Sequence, residues 1–141
     1  MSLISSVQDY IKSYSGLISG APVWVDYLGD ADQYSVVALP GNKVLETYLD
    51  GRSMRTFPFA LQSQMLTPDE AQRLANIGFF EVFSDWLEQQ TFLDNLPTLD
   101  AGKTPLYIEA TSWGFLYMEG QSDTGIYQLS AQLVYEQDAI S

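Results

Sequence analysis

One stretch constrains the fold more than any other. Residues 67–90 read as a single amphipathic helix, set in a chain whose remaining patterned segments are mostly of strand type. Thr67-Pro68-Asp69-Glu70 is a start signal: Thr67 is expected to cap the first free amides, Pro68 to take the first helical position, and Glu70 to complete a capping box. Ala71, Leu74, Ala75, Gly78, Phe79, Val82, Phe83, Trp86 and Leu87 then recur at helical spacing, with Arg73, Glu81, Asp85 and Glu88 between them. A helix of about 22 residues is roughly 33 Å long. Its wide apolar face needs a sheet to cover.

The chain before it supplies strands. Residues 2–17 form a first helix with Leu3, Ile4, Val7, Tyr10, Ile11 and Tyr14 on one face. Residues 23–28 and 34–39 read as two strands of a hairpin around the turn at 29–32. A third strand over 44–49 turns at Asp50-Gly51 into a fourth over 54–64, where Arg55, Phe57, Phe59 and Leu61 share a face. Pro58 cannot donate a ladder hydrogen bond, so a bulge or an edge position is expected there.

After the long helix, residues 106–119 and 125–136 read as one long hairpin with its polar tip at 121–124. In its second arm Tyr127, Leu129, Ala131, Leu133 and Tyr135 alternate with Gln128, Ser130, Gln132, Val134 and Glu136, which is the mark of a half-buried antiparallel strand with one wet face. Trp113-Gly114 in the first arm marks a bulge. The expected fold is a single α+β domain over 1–141: a mostly antiparallel sheet of about six strands, covered by one long helix plus an N-terminal helix.

The inventory of side chains removes whole reaction classes. The chain has 141 residues, no cysteine and no histidine. There is no thiol nucleophile, no thiolate or imidazole metal site and no histidine base, so zinc hydrolysis and the usual Ser-His-Asp and Cys-His arrangements are excluded. A net charge of -12 opposes a surface that grips phosphates. No apolar run is long enough for a membrane span, and the first residues lack a basic region followed by an apolar core, so the chain is expected to work inside a cell.

Weak candidate sites do not survive their own chemistry. Gly41-Asn42-Lys43 and Gly102-Lys103-Thr104 resemble the end of a phosphate loop, but neither has the first glycine at the required distance. Asp26, Asp30 and Asp32 offer oxygen ligands without the glycine and glutamate of a calcium loop. No pair among the 18 acids is singled out for glycoside chemistry. Tyr107, Trp113, Tyr117, Tyr127 and Tyr135 fit either cross-strand packing or a subunit contact. No catalytic residue, cofactor or metal is expected.

The whole pattern resembles the tail-terminator proteins of long-tailed bacteriophages, in the minor capsid protein group of phages and prophages of Gram-positive bacteria. The resemblance is carried by the opening helix over 3–17, the strand with Val23, Trp24 and Val25, and the segment Arg55-Thr56-Phe57-Pro58-Phe59-Ala60-Leu61-Gln62-Ser63. The helix over 71–86, Pro105-Leu106-Tyr107-Ile108 and the alternating strand over 125–135 complete it. It rests on a pattern of elements and sizes rather than on an invariant signature.

The resemblance implies a structural protein and no enzyme. Such proteins form a ring, usually a hexamer, on the head-proximal end of the tail tube. The ring ends tube growth and offers a joining surface to the head connector, and DNA later passes through the lumen without specific binding. The protein would assemble in the host cytoplasm and end at the tail-neck junction of the virion. An acidic lumen would repel phosphates and let DNA slide. The loops over 51–54 and 119–124 are expected to reach neighbouring rings, with Arg52, Arg55, Gln121, Ser122, Asp123 and Thr124 as partner-binding candidates. Two other readings stand beside this one. One is another neck or head-completion adaptor. The other is an α+β domain that binds a small ligand in a pocket lined by Trp86, Phe83, Phe57 and Phe59.

Overall fold

The computed structural model describes residues 2–18, 20–28, 33–120 and 123–139. Its centre is a pair of antiparallel strands, β4 (Ser53–Leu66) and β7 (Thr124–Gln137), each 14 residues long. They pair without interruption from Ser53 opposite Gln137 to Leu66 opposite Thr124, a ladder roughly 45 Å long at ~3.3 Å per residue. β2 (Tyr34–Ala38) and β3 (Val44–Thr47) share the other side of β4, and β5 (Lys103–Ala110) and β6 (Phe115–Glu119) share the other side of β7. β1 (Val23–Val25) lies beyond β2. Among the described residues the result is α+β, with a mixed seven-stranded sheet and two helices.

Period-two alternation decides which face is covered. Phe59 and Leu61 on β4, with Leu129, Ala131 and Leu133 on β7, are fully or almost fully buried on one face. On the opposite face Thr56, Gln62, Gln64, Gln128 and Gln132 form a polar row. Its amides bond to one another and to hydroxyls: Gln62 Nε2 to Gln128 Oε1 at 2.7 Å, Thr56 Oγ1 to Gln132 Oε1 at 3.1 Å and Gln64 Nε2 to Thr124 Oγ1 at 3.2 Å. The alternation expected of residues 127–136 is therefore present in side-chain orientation, but its expected wet face is only partly wet: Gln128 and Val134 are buried as well.

Two helices lie on the apolar face. α1 (Leu3–Lys12) is capped by Ser2, whose hydroxyl accepts from the Ser5 amide, and buries Val7, Tyr10 and Ile11. It ends five residues earlier than the periodicity suggests. α2 (Glu70–Phe92) begins at Asp69, whose carboxylate accepts from the Gln72 amide at 2.8 Å. Thr67 is not the cap: the helix begins only at Glu70, and the Thr67 amide is held by the Asp123 carbonyl at 2.6 Å. Asp and Thr are both good N-caps, and here the Asp takes the position.

The buried stripe of α2 is Asn76, Phe80, Phe83 and Leu87. It is rotated from the expected face, leaving Leu74 66% and Val82 59% exposed. Each of the three buried apolar side chains stabilises the fold by about 1.5–3 kcal/mol. Asn76 belongs to the stripe because its amide is satisfied there: Nδ2 donates to the Leu66 carbonyl at 2.8 Å and Oδ1 accepts from Gln72 Nε2 at 2.9 Å.

Three strand expectations change. β1 and β2 are parallel, Val23 opposite Tyr34, and not a hairpin. Pro58 lies in the central strand with no bulge. Its carbonyl accepts from the Leu39 amide, so its missing donor faces the gap where β2 gives way to β3. The long arm over 106–119 breaks between Ala110 and Phe115 into two strands. Gly114 occupies that break against α2; a Cβ there would meet Phe80 Cβ at 2.4 Å. The β3–β4 hairpin is as expected, with Gly51 at φ 90° in its turn. Among the described residues no helix is long and apolar enough to cross a membrane.

Candidate assembly site at the open sheet edges

An edge strand presents unpaired main-chain groups, and these must be covered or left for a partner. Four strands border this sheet: β1 and β3 on one side, β5 and β6 on the other. The helices cover two of them. On β1 the Pro22 carbonyl and the Asp26 amide bond to β2, so Val23 points its carbonyl outward, and Gln8 Nε2 of α1 donates to it at 2.8 Å. On β5 the outward main chain of Ile108 is taken by Thr91 of α2. Thr91 Oγ1 accepts from the Ile108 amide at 3.1 Å and donates to the Ile108 carbonyl at 2.7 Å. Pro105 adds a missing donor on the same strand.

The other two edges are open. Among the described residues β3 pairs only with β4 and β6 only with β7, and no side chain bonds to their outer main chain. Every residue of both strands is exposed. Their side chains are apolar for an edge: Val44 and Leu45 on β3, and Phe115, Leu116, Tyr117 and Met118 on β6. Trp113 leads into β6 and is 71% exposed; Phe115 packs edge-on against Tyr117 at 6.5 Å. Residues 110–118 contain no charge in a chain of net charge -12. An uncharged, aromatic-rich surface is the composition of an interface centre.

Four of the expected partner-binding residues lie among the described residues near these edges, and each makes contacts within the chain. Arg52 binds Asp50 at 2.7 Å and Glu136 at 2.9 Å and sits over the Tyr48 ring at 5.6 Å. The Arg52 amide and guanidinium hold the Asp50 carboxyl below the usual carboxylate range, and Asp50 in turn raises the Arg52 guanidinium. Arg55 donates through Nε to Ser53 Oγ at 2.9 Å on the helix-covered face. Asp123 takes a left-handed conformation at φ 57°, and its carbonyl anchors Thr67. Thr124 accepts from Gln64. Asp123 and Thr124 meet Thr67, Arg73, Leu116, Glu119 and Gly120 around an open hollow of about 380 Å³. Gln121 and Ser122 lie outside the described residues.

The remaining candidates separate cleanly. Gly102-Lys103-Thr104 leads into β5 and Gly41-Asn42-Lys43 into β3, so neither precedes a helix as a phosphate loop must. Among the described residues no three Asp or Glu side chains cluster as metal ligands, while Asp30 and Asp32 lie outside that set. Of the hairpin aromatics, Tyr127 and Tyr135 belong to the core, Tyr107 is half-buried, and Trp113 and Tyr117 are exposed. Phe59 and Phe83 are completely buried, Phe57 stacks on Phe59 at 6.3 Å, and Phe83 on Trp86 at 5.8 Å. The four rings stack in two pairs, and of them Trp86 reaches a shallow surface hollow beside Tyr14, Val82, Asp85 and Gln89.

No protein-family model matches the chain, and no curated protein matches it.

Proposed function

We propose that this chain is a structural subunit that closes head-to-tail into a ring on the head-proximal end of a phage tail tube. There it ends tube growth and presents the joining surface to the head connector. The observation that carries the reading is the pair of open, apolar strands on opposite edges of one sheet. A ring of identical subunits needs two different complementary surfaces on each copy, placed so that each copy meets two neighbours. β3 and β6 are two such surfaces, while helix side chains take the Val23 carbonyl on β1 and both main-chain groups of Ile108 on β5.

The charge fits the same role. Eighteen acids against six basic residues give the ring a negative field, which weakens adhesion to DNA and favours free passage. Function then requires geometry and no catalytic group. A terminator stops growth because one rim copies the docking surface of a tube ring and the other lacks it.

Tail tubes of the phage or prophage carrying the chain provide the test. Gold-labelled protein added to polymerising tubes is expected at one end only, with growth stopped. Label along the tube, or on no tube, contradicts the reading; label on isolated heads alone identifies a neck adaptor instead.

A further inference from the structure

We infer that the outer face of α2 docks a helix of a different protein, which places an arginine or lysine in the hollow beside Trp86. This docking is independent of the ring reading and uses none of the sheet edges.

A helix laid on a sheet turns charged and polar residues outward. α2 turns out a second apolar stripe. Its buried stripe is Asn76, Phe80, Phe83 and Leu87. At about 100° per residue, Leu74, Gly78 and Val82 fall on the opposite side, and Leu74 and Val82 are mostly exposed. Gly78 sits between them, one turn from each. Glycine is the poorest helix former after proline, and nothing inside the chain calls for it here: a Cβ at Gly78 would meet no packed neighbour within 4 Å. The three residues make a ridge with a notch, the shape that accepts a bulky side chain of a crossing helix.

The ridge runs into a hollow of about 450 Å³ lined by Val82 with Tyr14, Asp85, Trp86 and Gln89. The Tyr14 and Trp86 rings stand 4.8 Å apart between centroids. Two aromatic rings, one aliphatic side chain, one carboxylate and one amide, with no cation among them, suit an arginine or lysine. Its stem lies along the rings and its charge meets Asp85.

Charge selects the occupant. The charged groups on this face are all acidic: Asp85 within it, and Glu81 and Glu88 along its rim. All three are exposed, and among the described residues none forms an ion pair within the chain. The α2 face of a second copy would set acids beside acids, so the partner is a basic amphipathic helix of another protein. Asp85 lies seven residues beyond Gly78, roughly 10 Å along the axis. The docked helix therefore carries a bulky apolar residue and, about two turns away on the same face, its cation.

The probe is a synthetic helical peptide of alanine and glutamine, with one leucine stripe and one arginine in that stripe about two turns from the central leucine. Its binding to the full chain is followed by calorimetry and by the Trp86 indole N–H resonance. That resonance is expected to shift, while that of Trp24, which the register places on the helix-free face, stays still. Asp85→Asn and Gly78→Leu are each expected to bind the peptide about tenfold more weakly. Gly78→Leu is also expected to melt no lower than the parent, because leucine is the better helix former and the position is open. Glu109→Gln, an acid on the helix-free face opposite Gln132, should bind as the parent does.

Equal weakening by Glu109→Gln reduces the binding to general charge attraction and overturns the site. Equal binding of a peptide with glutamate in place of the arginine, or no shift at Trp86, overturns it too. A lower melting point for Gly78→Leu gives the glycine a role inside the chain and overturns the notch. Self-association of the parent that Gly78→Leu abolishes overturns the basic partner in favour of a second copy. Rings without peptide binding leave the ring reading standing and overturn the docking.

Discussion

Thr91 closes the edge of β5 by bonding both main-chain groups of Ile108, accepting from the amide at 3.1 Å and donating to the carbonyl at 2.7 Å. One hydroxyl near the end of α2 thus replaces a neighbouring strand. Thr91→Val keeps the shape and removes both bonds, at a cost of about 1–2 kcal/mol. Thr91→Ser should restore most of it. Urea denaturation of the three proteins checks this, and the valine variant is also expected to self-associate more, because a third edge is then open.

Asn76 is the polar member of an otherwise apolar stripe, and it fastens α2 to the end of β4 through the Leu66 carbonyl. Asn76→Ala strands that carbonyl and leaves a gap beside Phe80. A loss of about 1–3 kcal/mol is expected by chemical denaturation. Asn76→Leu should not rescue it, although leucine suits a helix better, since the carbonyl stays unpaired.

Gly114 touches α2 so closely that any side chain strikes Phe80 at its Cβ, an atom the helix backbone fixes. Gly114→Ala is expected to destabilise by about 1–3 kcal/mol through overpacking. The break between β5 and β6 should open first, which amide exchange at residues 110–115 would reveal as faster opening than in the parent chain.

Burial holds the Tyr10 hydroxyl above its ordinary range, with its proton donated to the Asn95 carbonyl at 2.8 Å. Burial raises Tyr14 and Tyr135 in the same direction. The unfolded chain loses these protons from about pH 10 while the folded chain keeps them. Stability is therefore full below pH 10 and falls as pH rises beyond it. Thermal melts between pH 9 and about 11.5 should show a falling Tm. Tyr10→Phe is expected to lower Tm at neutral pH and to flatten that alkaline slope.

How far the residues alone reveal this arrangement depends on the physical signal each element carries. The alternation from Tyr127 to Glu136 fixes which side chains of β7 point to the helices, though not that Gln128 and Val134 on the other face are buried too, and the β3–β4 turn is written in Asp50-Gly51. The true face of α2 is hidden because Asn76 looks like a solvent residue until the Leu66 carbonyl is placed above it. β1 has three residues, too few to show the direction of its pairing. Pro58 misleads because a missing donor is harmless where one neighbouring strand ends and another has yet to begin.

The candidate site is the least legible part. Which edges are closed depends on Gln8 and Thr91, ordinary polar helix residues whose targets lie on distant strands. The open edge had one sequence signal, the uncharged run from Ala110 to Met118, which also suits a buried arm of a hairpin. Arg52 is legible as a charge in a turn, but its ion pairs with Asp50 and Glu136 are not, because Glu136 lies 84 residues away in the chain.

Closure is the central claim, and mass measured as a function of concentration tests it most directly. Sedimentation or native mass spectrometry of the full chain should give a single closed oligomer at high concentration, dissociating to monomer on dilution without larger species. Tyr117→Lys, which places a charge at the centre of the β6 edge, should stay monomeric with an unchanged melting curve. A monomer at every concentration, or an open series that keeps growing, would contradict the account.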